Sequence, residues 1–304
     1  MDSHRRLQNL SIIVPMHNLK NRTSNLLAWI FSHEVLHAQV ILVHDTSDNQ
    51  DASEVLRAIK GSTNIELIEQ YCNSPGLARN IGLERAERDF VVFWDFDDQP
   101  MIEEFRNYYD EFVRSERTYG VGGYSVKVAG QVIKQISYSE ADLSKHKSEL
   151  MVNPCLPRWI FQRHVIGNSR FIPSKLGEDQ YFLASLEVFD KSLFMWERNV
   201  YTYFVGDPNQ LTNNKSLENL SLAVAVMLLE KYHQVGICTK LFCFIAASRI
   251  TLNQIVRSRR INKAIVRLLL QLSLKLVLNP RLFLVIPKIV STKNSINPRR
   301  KKFD

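Results

Sequence analysis

The strongest constraint on the fold is the alternation of short aliphatic runs with helical patterns over the first hundred residues. The runs are rich in Val and Ile and are bounded by polar residues or proline, which is typical of fully buried strands. They are LSIIV at 10–14, VILV at 40–43, IELI at 65–68 and FVVFW at 90–94. Apolar residues recur at helical spacing between them. This alternation predicts an α/β fold with a parallel sheet, whose ligands bind beyond the carboxyl ends of the strands.

Three of these strand ends carry residues suited to binding a ligand. They supply Pro15 and His17, then Asp45, and then Asp95, Asp97 and Asp98. Three carboxylates within four residues repel one another, and a hard divalent cation neutralises them. Mg²⁺ usually takes one or two protein carboxylates and completes its shell with water and substrate phosphates. The residues alone leave two interpretations open, a metal–diphosphate site or an acidic turn that caps the next helix.

Two further segments carry candidate chemistry. NSPGLARNIG at 73–82 places Gly76 at the start of a helical pattern, where free N–H groups bind anions, and Arg79 one turn later. GEDQYF at 177–182 places Glu178 and Asp179 in the first turn of another helix. These acids have two open interpretations, partners of the helix dipole or a general base. GxGxxG and GxxxxGK[ST] are both absent, which disfavours a dinucleotide fold and a P-loop.

The joint order and spacing of five segments resembles the family 2 glycosyltransferases of the bacterial surface-polysaccharide type, which have the GT-A fold. They are SIIVPMHN, VILVHDTS, NSPGLARNIGLERA, FVVFWDFDD and GEDQYF, and VYTYFVGDPNQLT is similar to the family's closing segment. The resemblance covers about residues 9–214. It implies a Rossmann-like, mixed but mainly parallel sheet flanked by helices. It also implies transfer of a sugar from a nucleotide-diphosphate donor to an acceptor hydroxyl with inversion.

The resemblance also implies roles for individual residues. Pro15, His17 and Asp45 are similar to the nucleoside-base pocket, and Arg79 to a donor-binding residue. Asp95 and Asp97 match the DxD pair, with Asp95 toward the ribose and Asp97, with Asp98 beside it, on Mn²⁺ or Mg²⁺. Asp179 is similar to the catalytic base, with Glu178 beside it. In this mechanism the metal neutralises charge on the leaving diphosphate.

Some family features are replaced or missing. His17 stands where Tyr is more frequent, His44 where a first Asp is common, and Thr46 where Gly is usual. The QxxRW string of processive members is absent after Asp179, so we expect the addition of single sugars. Two alternatives remain open here, a sugar-phosphate nucleotidyltransferase and a non-catalytic module that binds membrane or RNA. The residues at 153–170, with Trp159, Arg163 and His164, are the candidates for the acceptor pocket.

Charge divides the chain in two, although its formal net charge is only +8. Residues 1–230 hold 23 Lys and Arg against 30 acids, whereas residues 231–304 hold 16 Lys and Arg against one acid, Asp304. We therefore predict a catalytic domain at 1–215 and a basic helical region at 216–304. Lys263, Arg267, Gln271 and Lys275 recur every four residues among apolar ones, which favours a helix lying on an anionic membrane surface. The alternative is that these helices pack on the catalytic domain.

The remaining expectations concern location. The first residues lack the apolar run of a secretory signal, and no stretch is long enough for a simple spanning helix. The four cysteines lack CxxC spacing, which favours reduced thiols in a cytosolic protein. We expect a cytoplasmic enzyme held peripherally at the inner face of the membrane, with a lipid-linked glycan as acceptor. The tail has few aromatic residues, so no nucleic acid partner is expected.

Overall fold

A computed structural model describes residues 7–20, 22–33, 35–138, 143–206, 218–258 and 261–285. The described strands are β1 (Leu10–Met16), β2 (Gln39–Asp45), β3 (Ile65–Gln70), β4 (Phe90–Phe93), β5 (Gln99–Pro100), β6 (Tyr119–Val128), β7 (Gln131–Ile136), β8 (Trp159–Gln162) and β9 (Leu193–Val205). The described helices are α1 (Ser24–Ile30), α2 (Ser53–Ala58), α3 (Pro75–Arg85), α4 (Ile102–Arg114), α5 (Leu143–Val152), α6 (Arg163–Ile166), α7 (Glu178–Ser185), α8 (Glu218–Lys231), α9 (Ile237–Ser258) and α10 (Lys263–Leu278).

The strands form one mixed sheet in the order β3-β2-β1-β4-β8-β6-β9-β5, with β7 paired to β6. β3, β2, β1 and β4 are parallel to their neighbours in this series. β8 lies antiparallel to β4 and to β6, and β9 returns parallel to β6. The four aliphatic runs thus form the parallel half, as predicted, and their carboxyl ends share one edge. The predicted α/β fold with helices flanking a mixed sheet is confirmed.

Helix α3 illustrates how the sequence fixes the packing of this half. Ser74 caps the helix by accepting a hydrogen bond from the Leu77 N–H at 3.2 Å, and Pro75 occupies the first turn. A Cβ atom at Gly82 would lie 2.3 Å from Ile13 Cγ2 of β1. Only glycine therefore allows the helix to approach the sheet this closely.

Gly76 has a packing role that differs from the predicted anion site. A Cβ atom there would lie 2.4 Å from the carbonyl oxygen of Ile172 and 3.3 Å from Glu178 Cβ. The start of α3 therefore lies directly against the segment that leads into α7. This contact brings Arg79 and Glu178 into the same region.

A cluster of aromatic rings fixes α7 beneath β4. Phe93 of β4 packs edge-to-face on Phe171 and Phe182, with ring centroids 5.0 and 5.7 Å apart. Phe171 and Phe182 stack on each other at 3.9 Å. Such pairs stabilise a core beyond the area that they bury. The start of α7 consequently has a fixed position near the end of β4.

The C-terminal helices pack on the rest of the molecule. One hydrophobic cluster contains Ile13 and Phe93 of the sheet, Phe182 of α7, and Val224, Phe242 and Leu268 of α8, α9 and α10. The predicted boundary at 215/216 falls within residues 207–217, outside the described residues, as does the end of the closing segment VYTYFVGDPNQLT. The two predicted regions share this core. Their division into a catalytic domain and a basic helical region therefore stays a proposal, and it concerns function.

The orientation of α10 differs from the predicted one. Lys275 is buried and its Nζ lies 2.9 Å from His233 Nε2 and 4.2 Å from the centroid of the Tyr232 ring. The repeat that begins with Lys263 and Arg267 therefore does not form a continuous basic face, because its last member points inward. The outward face carries the exposed apolar residues Val266, Leu270, Leu274 and Val277. In the part of the chain that is described, no helix combines the length and apolarity that crossing a membrane requires.

Candidate functional site

A cavity of about 530 Å³ opens at the carboxyl ends of the parallel strands. One side consists of residues that follow β1, β2, β3 and β4, and it includes Pro15, His17, Asp45, Ser74, Arg79, Asp95 and Asp97. The rest of the lining includes Asn153, Cys155, Glu178, Asp179, Tyr203, Arg249 and Asn253. Asp98 also lines it, so every residue that the resemblance assigns to the base pocket, the donor, the metal or the catalytic base borders this cavity.

Asp45 organises the first side. Its Oδ1 accepts hydrogen bonds from the backbone N–H groups of Cys72, Asn73 and Ser47, at 2.9, 3.0 and 3.0 Å. Burial raises the pKa of Asp45, but these hydrogen bonds outweigh it and the pKa is lowered. Asp45 therefore stays ionised and fixes the loop between β3 and α3. His17 Nδ1 lies 3.7 Å from Asp45 Oδ2, so both side chains face the same part of the cavity.

His44 points away from this part of the cavity. It is fully buried, with Nδ1 3.2 Å from Glu69 Oε1 and Nε2 3.6 Å from Asp48 Oδ1. The replacement of the family's first Asp by His44 therefore changes the support of the pocket rather than its lining.

Arg79 connects the two acidic motifs. Its Nη2 donates to Asp95 Oδ1 at 2.9 Å and its Nη1 donates to Glu178 Oε1 at 2.8 Å. The guanidinium is buried and lies 5.5 Å from the centroid of the Phe171 ring. A planar donor fork suits such a double contact. Arg79 therefore sets the relative position of the end of β4 and the start of α7.

The two acids that open α7 are held in an environment that favours protonation. Gly177 has φ +81°, a conformation that glycine adopts without strain, and directs the chain into the helix. Burial raises the pKa of Glu178 to about 7, with Arg79 opposing and Asp179 adding to the shift. Burial likewise raises the pKa of Asp179, and Arg79 opposes it. A carboxylate with a raised pKa is a better proton acceptor.

Asp98 has a role that differs from the predicted metal ligand. Its Oδ1 accepts from the Phe204 N–H at 2.8 Å, and its Oδ2 accepts from the Tyr201 hydroxyl at 3.1 Å. The Asp95 N–H donates to the same hydroxyl at 3.1 Å. Burial, with the nearby charges of Asp97 and Asp95, raises the pKa of Asp98 well above its usual range. Since both oxygens bind protein donors, we assign Asp98 to joining β9 to the acidic turn.

Asp95 and Asp97 are then the carboxylates left for a cation. Asp97 pairs with Arg22, whose guanidinium carbon lies 5.1 Å from the centroid of the Phe96 ring. Within the described residues, no group of three or more His, Cys, Asp and Glu side chains is arranged around a metal position. One or two carboxylates beside a polar cavity fit an ion that takes its other ligands from water and phosphate oxygens.

The predicted acceptor residues are placed in two different environments. Trp159 is fully buried and donates its indole N–H to the Pro154 carbonyl at 2.7 Å, so it belongs to the core. Arg163 and His164 are exposed and lie outside the cavity lining. Residues 153–157 line the cavity instead. The predicted segment therefore borders the cavity through residues 153–157 and not through the three named side chains, and its role in acceptor binding stays a prediction.

Arg158 stabilises the loop at 153–157 through hydrogen bonds to its backbone carbonyls. Its Nη2 donates to the Asn153 carbonyl at 2.5 Å and its Nε to the Pro154 carbonyl at 3.4 Å. Nη1 donates to the Gly122 carbonyl at 3.3 Å and contacts the Tyr138 hydroxyl. The guanidinium also lies 4.5 Å from the centroid of the Tyr124 ring. Arg158 thus shapes the cavity wall without entering the cavity.

Sequence reasoning missed four contributions to the site. Arg22 and Tyr201 contact the acidic turn across 75 and 103 residues of chain, and Arg249 and Asn253 enter the cavity from α9. Tyr201 belongs to the closing segment VYTYFVGDPNQLT, for which the sequence predicts no contact with the acidic turn. Nothing local to Arg22, Arg249 or Asn253 distinguishes them from surface residues.

Comparison with known proteins adds a sequence match. The family model "Glycosyl transferase family 2" matches residues 11–164. The chain is 22% identical over 229 residues to the poly(ribitol-phosphate) beta-N-acetylglucosaminyltransferase TarP of Staphylococcus aureus (strain N315). That match covers 70% of this chain and 68% of TarP.

Two solved structures share the fold. Staphylococcus aureus TarS 1–349 in complex with UDP-GlcNAc superposes with a TM-score of 0.56 at 16% identity, covering 81% of this chain and 72% of TarS 1–349. The mannosyltransferase PcManGT from Pyrobaculum calidifontis, in complex with GDP-Man and Mn²⁺, superposes with a TM-score of 0.52 at 13% identity. The second match covers 94% of this chain and 85% of the mannosyltransferase.

Proposed function

The chain belongs to glycosyl transferase family 2 and is a glycosyltransferase, and we propose that it transfers a sugar from a nucleotide-diphosphate donor to an acceptor hydroxyl with inversion. The observation that carries this proposal is the bridge made by Arg79 between Asp95 and Glu178. It brings the acidic turn after β4 and the carboxylates of α7 to one cavity. A donor at the first and an acceptor at the second would lie side by side.

The donor is proposed to bind along the strand ends. Pro15, His17 and Asp45 would contact the base, Arg79 would neutralise charge near the phosphates, and Asp95 would face the ribose. The structural relatives TarS and PcManGT were solved with UDP-GlcNAc and GDP-Man, which supports a nucleotide-sugar as the ligand class. Arg79 is buried and already paired, so it is oriented before the donor arrives.

The residues present fit a divalent cation, Mn²⁺ or Mg²⁺, held mainly by the donor diphosphate. Asp97 would be its principal protein ligand, with Asp95 beside it, because both face the cavity at the end of β4. When bound, such an ion stabilises the negative charge that develops on the leaving diphosphate. PcManGT was solved with Mn²⁺, which supports this ion class.

Asp179 is proposed as the general base. It would take the proton of the acceptor hydroxyl while the hydroxyl oxygen attacks the anomeric carbon. The bond from that carbon to the diphosphate oxygen breaks on the opposite face, and its electron pair leaves with the nucleotide. Glu178, held by Arg79, would position the base or the acceptor. The raised pKa of Asp179 supports this assignment.

The acceptor is proposed to be a glycan on a lipid carrier or a surface polysaccharide, reached at the cytoplasmic face of the membrane. Support comes from the relative TarP, which is a poly(ribitol-phosphate) beta-N-acetylglucosaminyltransferase. The residues at 153–157 and the face of α9 that borders the cavity would receive it.

Binding of nucleotide-sugars tests this function directly. We expect one nucleotide-diphosphate sugar to raise Tm by several °C in the presence of Mn²⁺ or Mg²⁺, since saturation at about 100 times Kd adds about 2.7 kcal/mol. Asp97→Asn should reduce the rise, and Asp89→Asn, an exposed residue outside the cavity, should leave it intact. If no nucleotide-sugar with either metal changes Tm, the donor assignment is wrong.

Membrane association is proposed through the outer face of α10. Val266, Leu270, Leu274 and Val277 are between 46% and 72% exposed, and Lys263 and Arg267 are exposed on the same helix. An apolar stripe with basic residues suits the interface of an anionic leaflet, where each basic side chain contributes about 1 kcal/mol. The basic cluster at 299–302 lies outside the described residues.

Vesicle sedimentation tests the membrane proposal on the full chain. We expect the protein to sediment with vesicles containing phosphatidylglycerol and less with pure phosphatidylcholine, and salt should weaken binding. Leu270→Glu with Leu274→Glu should release it, because both side chains are exposed and the core is untouched. Val132→Glu, an equally exposed apolar site on β7, serves as control. Sedimentation of the double variant at the wild-type level would disprove the role of α10.

A further inference from the structure

The cavity has a wall that comes from the C-terminal helical region. Arg249, Ile250, Asn253 and Gln254 of α9 line it, together with Ser221 of α8. Their spacing along α9 places them on one face of the helix. A Cβ atom at Gly177 would lie 3.8 Å from Ile250 Cδ1, so this face lies beside the residue that precedes Glu178 and Asp179.

This wall is held rigidly. Asp190 caps α9 by accepting hydrogen bonds from the Cys238 and Thr239 N–H groups, at 2.8 and 2.9 Å. Glu187 accepts from the Gly236 N–H at 2.9 Å. Further along, Phe242 and Cys243 are buried in the main core. Arg249 is therefore positioned by the fold, as a binding residue needs to be.

Arg249 differs from the other arginines of the cavity. Arg22 and Arg79 are each paired with carboxylates. The guanidinium of Arg249 has no hydrogen bond or ion pair to any residue that the structure describes. The nearby carboxylate of Glu149 is already used, since its oxygens accept from the Tyr138 hydroxyl at 2.9 Å and from Asn153 Nδ2 at 3.0 Å.

The groups whose charges act on Arg249 do not belong to the proposed donor site. The groups that act on its charge are Tyr124 and Glu149, and burial lowers its pKa. Neither group belongs to the proposed base, ribose or metal site. A partly buried guanidinium that has no hydrogen-bonded counter-ion among the described residues bears a desolvation cost that a bound anion would offset. Planar guanidinium groups bind phosphate and carboxylate in the same two-pronged manner.

We propose that Arg249 binds a negatively charged group, a phosphate or a carboxylate, carried by the acceptor. This inference rests on the proposed function, because it treats the wall that α9 contributes beside Gly177 as the acceptor side. It makes the C-terminal region part of the substrate site, and it makes Arg249 a residue that selects among acceptors. Lys175, which also lines the cavity, adds a second positive charge.

The test compares three matched probes, glucose, glucose 6-phosphate and glucuronate, by ligand-observed NMR on the full chain with UDP or GDP and Mg²⁺. We expect at least one anionic probe to bind about tenfold more tightly than glucose, with an advantage that falls as salt rises. The affinities of glucose 6-phosphate and glucuronate, compared with each other, show which anion is preferred. Arg249→Gln should abolish the advantage and Arg249→Lys should keep part of it. Arg57→Gln, an exposed arginine on α2 outside the cavity, should change nothing.

The inference is overturned if neither anion binds more tightly than glucose, or if Arg249→Gln keeps the preference. Because Arg249 has no partner to lose among the described residues, the Tm of Arg249→Gln should equal or exceed that of the wild type. A fall in Tm would assign Arg249 to stability and would also count against the inference. Failure of the proposed function gives a different result from failure of this inference. If the proposed function is wrong, the wild type itself does not bind a nucleotide-sugar.

Discussion

Replacing Asp179 by asparagine is expected to lower kcat for sugar transfer by about 10²–10⁴-fold, the contribution typical of a positioned general base. The amide keeps the size of the side chain but does not accept a proton at neutral pH. Asp179 borders the cavity at the first turn of α7, and its Oδ1 accepts from the Gln180 N–H at 2.8 Å. In the proposed mechanism its other oxygen would take the acceptor proton. The measurement is transfer from the nucleotide-sugar that the binding screen identifies.

Three comparisons make this test specific. Asp89→Asn, the same chemical change on the surface, should keep full kcat, and nucleotide-sugar binding to Asp179→Asn should survive because the donor residues lie at the other motif. The wild type should lose activity as pH falls through the raised pKa of the carboxyl pair, since only the ionised base accepts a proton. Full transfer by Asp179→Asn would remove this residue from the mechanism.

The parallel half of the sheet was predictable because buried strands have a local signature. Runs such as VILV and FVVFW allow only burial on both faces, and parallel strands bring their carboxyl ends to one edge. These two rules are sufficient to bring Pro15, Asp45 and Asp95 to one cavity. Arg79 and Glu178 needed the resemblance as well, because 99 residues separate them along the chain.

The contributions that were missed depend on contacts distant in sequence. Asp97 and Asp98 are adjacent in the chain, yet one pairs with Arg22 and the other with Tyr201 and Phe204. Local sequence does not distinguish them. The helical pattern of α10 predicted an amphipathic helix, but periodicity does not say which face the core covers, and the core buries Lys275. Arg249 likewise joins the site only because Asp190 and the core fix α9.

Replacing Arg79 by methionine is expected to lower the free energy of unfolding by about 3–5 kcal/mol, the cost of breaking a buried ion pair by removing one partner. Methionine retains most of the side-chain volume, so packing on Phe171 changes little. What remains is Glu178 in a buried position without its counter-ion, and Asp95 facing Asp97 without a neutralising charge. The measurement is chemical denaturation followed by circular dichroism. Transfer should fall as well, because the donor side and the base lose their connection.

The loss of stability in Arg79→Met could arise from the lost charge or from altered packing. The double variant with Glu178→Gln and the control Arg85→Met distinguish these two causes. Adding Glu178→Gln to Arg79→Met should restore part of the stability, since it removes the uncompensated charge, whereas a packing defect would not recover. Arg85→Met, on the same helix but exposed in its pair with Glu66, should cost less than about 1 kcal/mol. Without Arg79 the pKa of Glu178 rises further above about 7, while in the unfolded chain it returns to its ordinary value. The folded variant then binds a proton that the folded wild type binds only below about pH 7. Its deficit should therefore level off below about 7 and should shrink as pH falls through the range above 7. A deficit that stays constant over that range, or a double variant no more stable than Arg79→Met, would show that Arg79 acts through packing and not through its charge.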